Sequence, residues 1–316
     1  MGRVELRHLR SFVTVAELAS FSRAAERLHL SQPALSRQIR DLEGELGVSL
    51  FDRTGRRPQL TSEGQDLLGR SRGLVIDAES LVERAATLKG GQTGILRVGA
   101  TSMTLESFLP SFLARYTRRL PDVAVNLVED GGAALLTRIE RGELHLGLTF
   151  PQHPGLRSRL LFPVRLLAVV APAHRLARKT AVDLSDLAGE RLLVLRREFL
   201  SRQLLDATFQ VAHLRPQVLL ESAAAHTLVA LAHAGYGTAI VPSHLNFDGT
   251  SARAVPVLHK QESVGTWLAV NWHPRRLLPP YGETFVQELV AYATRAHPGR
   301  KFKNAPLVVR REGTPQ

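Results

Sequence analysis

The sequence predicts an α/β chain in three parts: a winged helix-turn-helix, a long linker helix, and two α/β lobes that form a clamp. Three observations carry this. Phe21 to Arg40, read FSRAAERLHLSQPALSRQIR, holds two short amphipathic helices joined by a tight turn. From Leu67 onward leucines recur every seven residues, and after Gly90-Gly91-Gln92-Thr93-Gly94 the apolar pattern turns into strands alternating with helices. The boundaries that follow are 4–61 for the winged unit, 62–89 for the linker helix, and 94–297 for the clamp. Residues 298–316 form a basic tail, predicted to be poorly ordered.

Taken in order, Leu9, Phe12, Val13 and Ala16 share one face of a helix from about Leu6 to Glu17. Ala24, Ala25 and Leu28 make the apolar stripe of the next helix, with small residues where a partner helix must come close. Leu30 plugs the corner, and Leu35 and Ile39 face inward from a third helix that runs to about Glu45 and stops at Gly47. Ser31 suits its N-cap, and Gln32-Pro33 suit its first turn. The outward face carries Ser31, Gln32, Pro33, Ser36, Arg37 and Arg40. Glutamine pairs with adenine, arginine with guanine or phosphate, and serine with either, so the face is suited to a DNA groove. A merely solvated helix would also carry Arg, Gln and Ser. Leu50-Phe51 and Gln59-Leu60 read as two short strands of a wing, with Arg53, Arg56 and Arg57 near its tip to grip phosphate or enter a minor groove.

These residues carry a family resemblance. Leu6-Arg7-His8-Leu9-Arg10-Ser11-Phe12, Ser20-Phe21-Ser22-Arg23-Ala24-Ala25 and Leu28-His29-Leu30-Ser31-Gln32-Pro33-Ala34-Leu35-Ser36-Arg37-Gln38-Ile39 are similar to the LysR-type transcriptional regulators. So are Leu42-Glu43, Leu46-Gly47, Leu50-Phe51, Arg53 and Leu60-Thr61. The resemblance implies a regulator of transcription whose clamp is a periplasmic-binding-protein-like (type II) effector domain. It also implies double-stranded operator DNA and a small-molecule effector as partners, and a homodimer that assembles further into a tetramer. Closing of the lobes on the effector would change protomer packing, and with it half-site spacing or DNA bending.

Thr61-Ser62 opens the linker helix, with Gln65 three residues after Ser62 in a capping-box arrangement. Leu67, Leu74, Leu81 and Leu88 recur along it, with Ser71, Ala78 and Ala85 at the alternating positions. Such a seam asks for a second helix and predicts dimerisation, although a helix packed on its own domain would look alike.

In the clamp, Ile95 to Ala100, Val123 to Val128 and Leu144 to Phe150 read as strands, with helices over about Ser102 to Arg118 and Ala133 to Arg141. A second unit starts near Leu166. Its strands are Leu167 to Val170, Leu192 to Leu195, Val218 to Leu220 and Thr238 to Val241, and its helices Leu184 to Leu187, Phe199 to Ala212 and His226 to Ala234. Trp267 to Asn271 and a helix from Tyr281 to Ala296 complete lobe 1, which spans about 94–150 and 266–297; lobe 2 spans about 166–250. The chain crosses near Phe150-Pro151 and returns after Gly265. A hinged pair of this kind closes on a ligand at its strand ends. Thr101 and Ser102 open a helix there and would seat an anion, though plain capping explains them too. Thr149, Phe150, Phe199, Ser201 and His226 are the facing candidates. Where the resembled family usually reads Leu-Asp-Leu-Ala-Ile, this chain has Leu144-His145-Leu146-Gly147-Leu148, and the histidine either alters the inter-lobe surface or is simply solvated.

Composition narrows the remaining classes. With no cysteine, disulfides and thiolate metal sites are excluded. The formal charge of +12 favours a polyanion, yet residues 1–60 hold ten Arg against seven acids, and much of the excess sits in the tail. No apolar run reaches membrane length, and Arg7, His8 and Arg10 interrupt the first apolar stretch, so a cytoplasmic protein with no membrane partner is expected. The twelve histidines form no HExxH, and no phosphate loop or nucleophile elbow is present; neither metal, cofactor nor catalytic residue is predicted. A ligand-binding or enzymatic clamp, with DNA contact incidental, is the alternative.

Overall fold

Small side chains decide how the N-terminal helices meet. Helices α1 (Leu6–Leu18), α2 (Phe21–Arg27) and α3 (Gln32–Leu46) converge on Ala24 and Ala25, both buried with Phe12, Leu35, Ile39 and Leu42. Ser20 and Ser31 cap α2 and α3, their hydroxyls accepting the Arg23 and Ala34 amides at 3.3 Å. The turn between those helices passes through His29 at φ 54°, and Gly47 at φ 72° ends α3 with its N–H on the Glu43 carbonyl. A wing follows, β1 (Phe51–Asp52) antiparallel to β2 (Gln59–Leu60). Glu43 ties it down by accepting the Leu50 and Phe51 amides at 2.8 and 3.3 Å. This computed structural model describes residues 4–52, 58–88, 94–151, 154–246, 251–302 and 307.

Helix α4 (Ser62–Leu88) is the linker. Its cap is Thr61, whose hydroxyl accepts the Gly64 amide at 2.9 Å, rather than Ser62, which donates to Glu63. Val75, Ser71 and Arg72 are buried on the side facing α1, while Leu74, Leu81 and Val82 remain exposed.

Beyond it come β3 (Gly94–Ala100), α5 (Ser102–Ser107), α6 (Leu109–Arg119), β4 (Val123–Glu129), α7 (Gly132–Glu140), β5 (Leu146–Thr149) and β6 (Arg157–Val170). Then follow β7 (Val182–Asp183), α8 (Leu184–Leu187), β8 (Arg191–Leu195), α9 (Leu200–Val211), β9 (Gln217–Ser222), α10 (Ala225–His233) and β10 (Thr238–Pro242). The series ends with β11 (Arg253–His259), β12 (Glu262–Ser263), β13 (Gly265–Trp272) and α11 (Pro280–Arg295). Their main sheet runs β4-β3-β5-β13-β6-β10-β8-β9. The β3–β4, β3–β5, β8–β9 and β8–β10 pairs are parallel, and β6 and β13 supply the antiparallel centre. Lobe 1 packs Phe108, Phe112, Tyr116, Phe162 and Phe285 into one core; lobe 2 has separate cores on the two faces of its sheet.

Three expectations are corrected and one strand is added. The helix expected over 102–118 breaks at Phe108, because Pro110 in the first turn of α6 has no N–H to continue the ladder. The chain does not cross near Phe150-Pro151. It crosses inside β6: Arg157 to Arg165 pair with β13 in lobe 1, and from Leu166 the same strand pairs with β10 and β11 in lobe 2. Arg157, Arg159, Pro163 and Arg165 interrupt its apolar pattern, which conceals the first half of the strand. Strand β11 is an addition to the elements read from sequence. Finally, the described part of the tail is docked, with Phe302 buried in a lobe 2 core and Leu307 bridging to Ser263; the remainder of the tail lies outside the described residues.

Backbone ties between the lobes gather at one place. Arg165 N–H donates to the Ser243 hydroxyl at 3.0 Å, its carbonyl accepts the Ser243 amide at 2.7 Å, and it pairs with Gly265. At Gly299 (φ 78°) the tail crosses so close that a Cβ there would lie 2.6 Å from the Ser243 carbonyl.

Candidate functional site

The third helix presents most of its predicted face to solvent. Gln32, Pro33, Arg37 and Arg40 are exposed and Ser36 is half-buried. Ser31 is exposed too, but its hydroxyl is engaged by the cap, and Gln32 accepts the Ser22 hydroxyl at 3.2 Å. Between this helix and the wing lies an open groove of about 640 Å³, flanked by Arg40, Asp52 and Gln59. Arg53, Arg56 and Arg57 lie outside the described residues.

On α4 the leucine series divides. Leu67 packs partly into the helix-turn-helix core, whereas Leu74 and Leu81 are 55% and 71% exposed. Val82, 70% exposed, extends this apolar face beyond the leucines; the Leu88 side chain lies outside the described residues.

Five of the predicted ligand residues come together. Thr101, Thr149, Phe150, Phe199 and Ser201 line one cavity between the lobes, with Met103, Gly132, Leu200 and Leu268. Its free volume is about 30 Å³, room for a water or two. Two candidates lie elsewhere. Ser102 donates to Glu129, and His226 lies outside the cavity with Nε2 3.2 Å from the Glu106 carboxylate of α5, an exposed contact from lobe 2 to lobe 1. Nor is Thr101 a cap by its side chain: its Oγ1 lies 3.1 Å from Thr104 Oγ1, and α5 is only six residues long. The expected anion seat is therefore not formed as drawn from the sequence.

His244 is the residue that sequence reasoning missed. It lines the cavity directly after β10, is 3% exposed, and neither ring nitrogen has a hydrogen-bond partner. Burial pushes its pKa down to about 4, so the ring is neutral. The available signal was positional, since residues just past the carboxyl ends of parallel strands face such crevices. Thr149 Oγ1 is likewise buried without a partner.

His145 is not simply solvated. Its Nδ1 accepts the Arg97 amide at 3.0 Å, and burial with the nearby Arg97 charge lowers its pKa to about 4.

A fourth feature joins the parts. Arg72, buried on α4, lies 3.1 Å from Glu17 of α1 and 3.5 Å from Glu143, which follows α7 in lobe 1. Arg276, after β13, meets Asp77 of α4 at 3.3 Å and donates to the Ile139 carbonyl at 3.1 Å. The linker helix is thus clamped by charge to both its neighbours.

Comparison with known proteins gives a consistent picture. The profile described as "Bacterial regulatory helix-turn-helix protein, lysR family" matches residues 6–65, and "LysR substrate binding domain" matches residues 89–294. The chain is 30% identical over 295 residues to the uncharacterized HTH-type transcriptional regulator YybE of Bacillus subtilis, covering 92% of this chain and 99% of that protein. It is 34% identical over 283 residues to the HTH-type transcriptional regulator ShiR of Corynebacterium glutamicum, covering 85% and 92%. Among solved structures, a full-length OxyR variant from Pseudomonas aeruginosa superposes with a TM-score of 0.71 at 22% identity, covering 94% of this chain and 96% of that one.

Proposed function

The chain belongs to the LysR family of DNA-binding transcriptional regulators, and on that premise we propose how its parts divide the work. Residues 4–61 read the operator, 62–89 dimerise, and 94–297 bind a small-molecule effector between the lobes. The observation that carries this is the row of Gln32, Arg37 and Arg40, exposed on α3 with Ser36 half-buried among them, on a helix whose opposite face is locked into a core. Such a helix enters a major groove with polar side chains set to reach base edges.

Dimerisation follows from Leu74, Leu81 and Val82, apolar side chains left in water on a helix that buries Ser71, Arg72 and Val75 on the side facing α1. Two readers on one dimer engage two half-sites, which raises affinity beyond that of either alone. The Arg72 and Arg276 ion pairs supply a route from lobe 1 through α4 to α1. Effector-driven movement of the lobes would reposition the readers and alter half-site spacing within a dimer or a tetramer. No enzymatic activity is assigned. Work at an operator puts the chain in the cytoplasm, and none of the helices described is long and apolar enough to cross a membrane.

Footprinting of the purified chain on its own upstream intergenic DNA, in about 150 mM salt to suppress purely electrostatic binding, tests this. A protected site with dyad symmetry over several helical turns is the expected result. Absent or uniform protection would overturn the reader assignment and turn attention to the cleft.

A further inference from the structure

The inter-lobe cavity is lined mainly by apolar side chains and, among the described residues, carries no charge. Polar side chains reach it from Thr101, Thr104, Thr149, Ser201 and His244, but among the described residues no Lys, Arg, Asp or Glu lines it. The nearest buried cation in sequence, Arg202, is already committed to Asp206, Glu221 and the Leu195 carbonyl. Three buried side-chain polar atoms without a hydrogen-bond partner belong to this one cavity: His244 Nδ1, His244 Nε2 and Thr149 Oγ1. Buried polar groups are left unmatched at a cost, and such a concentration marks a place where partners arrive from outside.

Resting on the effector-binding reading above, we propose that His244 and Thr149 read an uncharged effector offering both a hydrogen-bond donor and an acceptor, as a primary amide does, and that free carboxylates are rejected. A neutral imidazole supplies one N–H and one lone pair, and the threonine hydroxyl can supply either. Once the lobes part to widen the cavity, an amide matches that set with its own N–H and carbonyl while its remainder packs on Met103, Phe150, Phe199 and Leu268. A carboxylate offers only acceptors, so it has no hydrogen to give the imidazole lone pair. Its charge would be buried with no counter-ion, since the ring is held neutral by burial. Gly132 keeps the space open: a Cβ there would lie 2.8 Å from Thr149 Oγ1 and 3.3 Å from Leu200 Cδ1.

The test is thermal denaturation of the full chain with matched amide and carboxylate probes, from acetamide and acetate through isobutyramide and isobutyrate to benzamide and benzoate. Wild type, His244→Leu and Gly132→Ala are compared at neutral pH, with circular dichroism confirming that the variants fold. At least one amide is expected to raise the wild-type Tm while its carboxylate twin does not, with the response lost in both variants. Without ligand, His244→Leu should melt no lower than wild type, because it removes two unmatched polar atoms. Stabilisation by carboxylates, or an amide response that survives His244→Leu, would overturn the proposal and leave the effector reading standing. Silence from every pair would remove the proposal, and loss of effector reading would then show separately as operator affinity that no cell metabolite extract alters.

Discussion

At the scale of single residues, two groups make distinct predictions. Arg37 and Gln32 project from a helix whose stability resides in its other face, so Arg37→Ala or Gln32→Ala should leave folding and dimerisation intact. Each base-edge contact contributes about 1–3 kcal/mol, so operator affinity should drop roughly ten- to hundredfold in a binding titration while nonspecific affinity changes far less. The buried rings behave differently. His145 and His244 have pKa values near 4 in the folded chain against 6.5 for an exposed ring. As pH falls from 6.5 towards 4, the unfolded chain takes up protons that the folded chain refuses, so stability declines; above 6.5 neither state holds them and the effect is absent. Each ring accounts for roughly 3 kcal/mol at most. Denaturant melts across that window should show the loss, and His244→Leu should remove its share of the slope. The two rings were unequally legible in sequence. His145 stood out because it stands where the family usually has an acid, though its pairing with Arg97 depends on a neighbouring strand. His244 looked like any loop histidine, because its burial is made by residues far away along the chain.

The elements divide in the same way. Helices α1 to α4 were readable because each carries its own apolar period, and local chemistry fixes the ends of α2 and α3: Ser20 and Ser31 at the starts, Gly47 at the stop. What local chemistry does not fix is whether a strand with arginines at alternate positions is one element or two. Strand β6 shows the consequence, since Arg157, Arg159 and Arg165 pass muster only because β13 pairs along that half of it. Pro110 is the reverse case, a break visible in sequence and read through. For the linker helix the expectation is specific. Leu81→Asp places a charge on the exposed apolar stripe of α4, where each leucine buried by a partner is worth about 2 kcal/mol. Sedimentation equilibrium should show the dimer weakened by at least about tenfold at unchanged helix content. An unaltered dimer would move the interface to another face.

For the whole molecule, one contact between the lobes is open to release. His226 and Glu106 meet at the surface, each side chain 58% exposed, so their contact is weak and easily broken. The chain has no cysteine, which makes paired labelling clean. Spin labels at Arg118→Cys on lobe 1 and Arg215→Cys on lobe 2 should give one dominant distance by pulsed electron resonance, and adding Glu106→Ala should broaden it. An unchanged distribution would mean that this contact has no part in holding the lobes. What such a measurement samples is limited by the meeting of β6, the start of β13, the segment after β10 and the tail around Arg165 and Ser243. Backbone joined at one corner keeps the lobes from sliding apart there, while their far edges stay free to rotate. Any such rotation would reach the linker helix through lobe 1, where Glu143 meets Arg72 and Arg276 meets Asp77.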